Sequence, residues 1–150
     1  YVLKCFVNFG VAIMTSKILC AIDDTDHAKN AILCAAELSR KTGAQLTVCT
    51  VNVLTGGLRG PPIYLHDDLD VRKMLDNAAA LARQHGVKDL AEAELKGREI
   101  STSVVQYAEQ NGFDHIVTGT GDKRGLSRLA LGSVAADIAG RAHCTVTVAR

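Results

Sequence analysis

The sequence predicts an α/β domain built as a doubly wound open sheet of five parallel strands, with four helices divided between its two faces. Three observations carry that prediction. Ile18-Leu19-Cys20-Ala21-Ile22 is a continuous apolar run that breaks at Asp23-Asp24-Thr25, the pattern of a strand buried on both faces of a parallel sheet. A helix-period stretch and a second apolar run follow, so strand, helix and strand succeed one another within about forty residues, a βαβ unit whose crossover is right-handed. Further on, a glycine-rich loop separates the apolar run His115-Ile116-Val117-Thr118 from a helix-period segment that starts near Ser133.

The elements follow in order. Residues 1–13 are an apolar run with a single basic residue, Lys4, too short for a membrane span and without a small-x-small cleavage site. They are expected to form an N-terminal extension ahead of one domain over residues 14–150, which starts at Met14. After the first strand, Thr25 or Asp26 is expected to cap a helix over 28–41 whose Ala31, Ile32, Ala35, Ala36 and Leu38 share one face; Thr42-Gly43 closes it. Residues 44–53 are the second strand. Gly56, Gly57, Gly60, Pro61 and Pro62 mark 54–62 as a mobile surface loop. His66-Asp67-Asp68-Leu69 opens a long helix that runs to His85-Gly86, with acids in its first turn, where the helix dipole favours them. Residues 90–95 alternate apolar and acidic side chains, as a half-covered third strand does. A helix over 101–111 ends at Gly112, the fourth strand covers 114–118, the last helix 133–142 and the fifth strand 144–149.

Composition narrows the partners. A chain of 150 residues with net charge +1 and interspersed signs has no basic face for nucleic acid or an anionic membrane, so neither is expected as a partner. The five cysteines form no C-x-x-C pair, which fits a reducing compartment, and metal-ligand spacing is lacking, so no structural metal is expected.

Chemistry gathers at the strand ends. Doubly wound sheets bind ligands beyond the carboxyl ends of their strands, where the strand order reverses, and this pairs Asp23 with Gly119 across one crevice. Glycines let a backbone approach a ligand closely, and the free N–H groups at a helix N-terminus suit phosphate oxygens. Ser133 would either cap the last helix or bond such a phosphate, and an ordinary loop with an N-cap is the plainer account of the same residues. Asp23, Asp24 and Asp26 read as ligand contacts with an accompanying magnesium, or as a solvated turn. A phosphorylatable receiver is disfavoured, because Leu95-Lys96-Gly97 supplies no acid and Ala149-Arg150 no lysine. No G-x-S-x-G turn presents a serine nucleophile, and His115 inside an apolar strand reads as a core or strand-edge residue.

Taken together, residues 18–25, the βαβ run, the loop 119–134 and the closing valine-rich strand resemble the universal stress protein family over residues 15–150. The nucleotide-binding branch of that family shows G-x-x-G, nine residues, then G-[ST]. Gly119 and Gly132-Ser133 match this pattern, whereas Asp122 stands where the second glycine would be. The resemblance implies an adenine nucleotide alpha hydrolase-like, Rossmann-like fold that binds ATP, ADP, AMP or cAMP, with or without Mg2+. Position by position, it implies that Ala21, Ile22 and Asp23 line the adenine and ribose and that Val51 offers backbone bonds to the adenine. Thr118 and Gly119 would flank the ribose and phosphates, and Gly132, Ser133 and Val134 would hold the phosphate end. Asp122 would lie beside the phosphates and weaken triphosphate binding. The resemblance further implies a cytoplasmic stress-response regulator with at most slow ATP hydrolysis, paired into a homodimer through strand 144–149. Many resembling proteins carry proline where Thr145 stands, so Thr145 is expected to lengthen the dimer ladder by one hydrogen bond. Members of the family that do not bind ATP make a dimeric interaction module the alternative. An ATP pyrophosphatase would need an S-G-G-x-D-S loop where Asp23-Asp24-Thr25-Asp26 stands.

Overall fold

Alternate side chains of β1 (Lys17–Ile22) enter two separate apolar cores, and this division organises the fold. Ile18, Cys20 and Ile22 pack with α1 (Ala28–Thr42) and α2 (Asp68–Gln84), whereas Leu19 packs with α3 (Ile100–Gln110) and α4 (Ser133–Arg141). A strand covered on both faces has no use for polar alternation, which is why this run is apolar throughout. The computed structural model describes residues 15–57, 59–120 and 131–150; the expected extension 1–13 and Asp122 lie outside them.

Four more parallel strands complete the main sheet: β2 (Gln45–Gly56), β4 (Leu90–Gly97), β5 (His115–Gly119) and β6 (Thr145–Ala149), in the order β4-β2-β1-β5-β6. The chain steps outward from β1 to β2 to β4, then returns across the sheet to β5 and β6. The strand order therefore reverses between β1 and β5. Their register pairs Ala21 with Thr118, which sets Ile22-Asp23 and Gly119 side by side at the carboxyl end.

The sheet departs from the expected five parallel strands in one respect. A two-residue strand, β3 (Ile63–Tyr64), runs antiparallel to the end of β2, with Leu54 opposite Tyr64, so the sheet is mixed and six-stranded. Leu54, Thr55 and Gly56, expected in a mobile loop, instead extend β2. The chain then doubles back at Gly57, whose φ of 97° suits glycine, and where any Cβ would come within 2.6 Å of the Pro61 carbonyl oxygen.

Helix starts were partly legible. Asp67 caps α2 by accepting from the Asp70 N–H at 2.8 Å, and Glu99 caps α3 through the Thr102 N–H at 3.0 Å. Neither Thr25 nor Asp26 caps α1, contrary to expectation; its N-cap position is His27, with no side-chain cap. Asp23 instead folds the turn, its Oδ1 accepting from the Thr25 N–H at 3.1 Å and the Thr25 hydroxyl at 2.6 Å. A further correction concerns Thr145. Its N–H donates to the Asp114 carbonyl within the sheet at 3.3 Å and adds nothing to an outer ladder. Among the described residues no helix is long and apolar enough to cross a membrane.

Candidate functional site: a cleft where the strand order reverses

Beyond the carboxyl ends of β1 and β5 lies a cleft of about 430 Å³, within the usual range for small-ligand pockets. Four chain segments distant in sequence meet there. Ala21, Ile22 and Asp23 arrive from β1, Val51 from β2, Thr118 and Gly119 from β5, and Gly132, Ser133 and Val134 from the start of α4. These are nine of the ten residues singled out in the sequence; Asp122 is outside the described residues.

The two ends of the cleft differ in chemistry. At one end α4 opens with Gly132 in the N-cap position, and the first intrahelical bond runs from the Ala136 N–H to the Gly132 carbonyl at 2.9 Å. The N–H groups of Ser133, Val134 and Ala135 therefore have no carbonyl within the helix, and the positive end of its dipole faces the same way. Ser133 is the first helical residue and Gly132 holds the N-cap position, so the Ser133 hydroxyl is not the cap. Gly119 passes so close to the β1–α1 turn that a Cβ would stand 3.3 Å from the His27 carbonyl oxygen. At the other end Val51, Val53, Leu65 and Met74 make an apolar wall, and Ile100 and Ile138 close the side toward α3 and α4. The carboxylates on the lining are those of Asp23 and Asp24.

Leu65, His66, Met74, Ile100 and Ile138 were not anticipated as lining. One local signal pointed to the first two. Asn52 interrupts an apolar strand, and a buried carboxamide needs partners. At 1% exposure it bonds both backbone groups of His66, accepting from the N–H and donating to the carbonyl, each at 3.0 Å.

On the opposite side a polar cluster ties α4 to α3. The hydroxyls of Ser101 and Thr102 bond the Glu99 carboxylate and hold its pKa down at about 2. Ser101, fully buried, also reaches the Asp137 carboxylate, and Arg141 bridges Asp137 at 3.2 Å and the Thr102 hydroxyl at 2.8 Å. This cluster orients α4, and with it the exposed N–H groups at the cleft.

His115 lies apart from the cleft. It is buried, its Nε2 stands 2.8 Å from the Thr147 hydroxyl, and burial lowers its pKa, only partly offset by Asp114. The thiols of Cys20 and Cys49 are buried and free; burial pushes that of Cys49 up to about 12, so both are inert packing groups.

Comparison with known proteins agrees with this geometry. The model of the universal stress protein family matches residues 14–150. The chain is 29% identical over 150 residues to the universal stress protein YxiE of Bacillus subtilis strain 168, covering 91% of this chain and 100% of that one. It is 38% identical over 79 residues to universal stress protein MJ0531 of Methanocaldococcus jannaschii, 53% of this chain and 45% of that one. Among solved structures, a universal stress protein in complex with cAMP aligns with a TM-score of 0.73 at 19% identity, over 91% of this chain and 98% of that one. The universal stress protein from Archaeoglobus fulgidus in complex with dAMP aligns at 0.66 and 23% identity, over 92% of this chain and 100% of that one. These similarities establish an adenine nucleotide alpha hydrolase-like, Rossmann-like fold. The reversal of strand order between β1 and β5, the cleft that it opens and a match running from residue 14 to residue 150 agree, and the chain belongs to the universal stress protein family.

Proposed function

We propose that the chain binds an adenine nucleotide in the cleft between β1 and β5 and acts as a homodimeric stress-response regulator in the cytoplasm. The observation that carries this is the convergence of residues 21–23, 51, 118–119 and 132–134 on one cavity with an apolar end and a helix N-terminus at the other. A planar base fits the Val51–Met74 wall. Asp23 spends Oδ1 on Thr25, which leaves its second oxygen for the ribose hydroxyls. Phosphate oxygens find the N–H groups of Ser133 and Val134. Structural neighbours in complex with cAMP and dAMP support the ligand class. ATP and ADP remain in that class, and Asp23 and Asp24 are the carboxylates that would hold an accompanying Mg2+.

Calorimetric titration with ATP, ADP, AMP and cAMP, with and without Mg2+, tests the proposal. Saturable binding of at least one is expected, and no binding by any of the four overturns it. For the dimer, the support is β6, which pairs with β5 alone among the described strands and leaves an edge open. For the compartment, it is the free thiols of Cys20, Cys34, Cys49 and Cys144. A second reading, an interaction module without nucleotide, draws on the exposed side chains of Ile63, Leu65 and Leu69 beside the cleft mouth. A dimer that binds none of the four nucleotides favours it.

A further inference from the structure

The wall contributed by Leu65 and His66 has little to hold it by ordinary means. Leu65 is 59% exposed, so burial fixes it weakly, and β3 before it is only two residues long. What holds it is β2. The Leu65 N–H donates to the Val53 carbonyl at 2.9 Å, and the Asn52 carboxamide pairs with both backbone groups of His66, as a neighbouring strand would. The Asn52 amide nitrogen also donates to the Glu94 carboxylate at 3.1 Å. A carboxylate only accepts, so Glu94 turns the NH2 toward itself and the His66 carbonyl, leaving the Asn52 oxygen to face the His66 N–H.

We propose that Asn52 is a positioning residue for the ligand, acting through the Leu65–His66 wall, and that Glu94 keys its orientation. The proposal rests on the nucleotide reading of the cleft. Asn52 does not line the cleft; Leu65 and His66, which it places, do. An intact carboxamide is required, because both a donor and an acceptor must face His66.

Asn52→Asp keeps the shape but removes the donor and sets a second carboxylate beside Glu94 and the His66 carbonyl. Near pH 7.5 the wall should be released. The probe is AMP, with amide hydrogen exchange measured on the ligand-free protein. Near pH 7.5 Asn52→Asp is expected to bind AMP about tenfold or more weakly and to exchange the His66 amide at least about tenfold faster than wild type, with Val48 unchanged. Ser39→Ala, which removes a buried hydrogen bond to the Ala44 carbonyl at the far end of the sheet, should lower the melting temperature and leave AMP affinity alone. Glu94→Gln, at an exposed position, replaces the charged acceptor of the second Asn52 N–H by a neutral one and should produce a smaller loss, about threefold, in both readouts; it serves if Asn52→Asp does not fold. Unchanged His66 exchange in the variants overturns the proposal, as does faster exchange with unchanged AMP affinity. Wild type that binds no adenine nucleotide sinks the nucleotide reading and the ligand role of Asn52 with it, while the exchange data still report whether Asn52 holds the wall.

Discussion

Val146→Pro discriminates between the two edges of β6. The Thr145 N–H donates inward to the Asp114 carbonyl, and strand groups alternate with a period of two. The N–H groups of Thr147 and Ala149 therefore also point toward β5, while those of Val146 and Val148 point out from the free edge. Proline at 146 removes no bond from the sheet, and an edge strand tolerates it. Its ring has about the size of valine, so the buried position against the α3–α4 core should cost the monomer only about 1 kcal/mol. A dimer paired through this edge fares worse. Two-fold symmetry removes the donor from both protomers, and two bonds at about 0.5–1.5 kcal/mol each give about 1–3 kcal/mol, a dimer about 5- to 150-fold weaker. Sedimentation equilibrium measures the dissociation constant, and thermal denaturation of the same sample monitors the fold. Thr147→Pro is the contrasting variant: it breaks an inward bond and strips the partner from His115, so it should unfold the domain. A wild-type monomer at micromolar concentration, or a Val146→Pro dimer as tight as wild type, would refute the reasoning. Equal damage to the fold by both prolines would show the alternation to be misassigned.

Other outcomes are expected from single groups. Burial depresses the pKa of His115 below its ordinary 6.5, so its contribution to stability is complete above 6.5 and is lost as pH falls through the lowered folded value; His115→Gln should flatten the melting temperature across that window. Glu99, held at about 2, contributes above its ordinary 4.5 and loses that contribution as pH falls toward 2, so Glu99→Gln should flatten the acid limb of the same curve. Hydrogen exchange should be fast at Arg59 and Gly60 but slow at Leu65, whose N–H is bonded to Val53, and saturating nucleotide should slow it further at Leu65 and His66. Asp122→Gly should tighten ATP by about tenfold or more, read by titration with and without Mg2+; unchanged affinity under both conditions would place that carboxylate away from the phosphates.

The sequence alone settles whatever short-range patterns carry. The uniform apolarity of Ile18-Leu19-Cys20-Ala21-Ile22 announces a strand covered on both faces, and the spacing of Val71, Leu75, Ala78 and Ala82 announces the buried stripe of α2. The acids before α2 and the glycines at 119 and 132 mark a cap and a close backbone approach, and each is a local chemical demand. These signals sufficed to pair Asp23 with Gly119 across one crevice, because the doubly wound topology places strand ends and helix starts there whatever the details between them, while the other lining residues named in advance came from the family resemblance. Tertiary structure decided the rest. Ile63-Tyr64 is a strand only because Leu54 and Gly56 lie opposite, so no propensity within two residues foretells it. The inward turn of the Thr145 N–H depends on the register of β6 against β5. Asn52 finds His66 fourteen residues away and Glu94 forty-two away, and Ser101 finds Asp137 thirty-six away. Such partners are chosen when the chain closes its long loops and must pair every polar group that it buries, a condition imposed by the whole packed fold and written in no single segment of the chain.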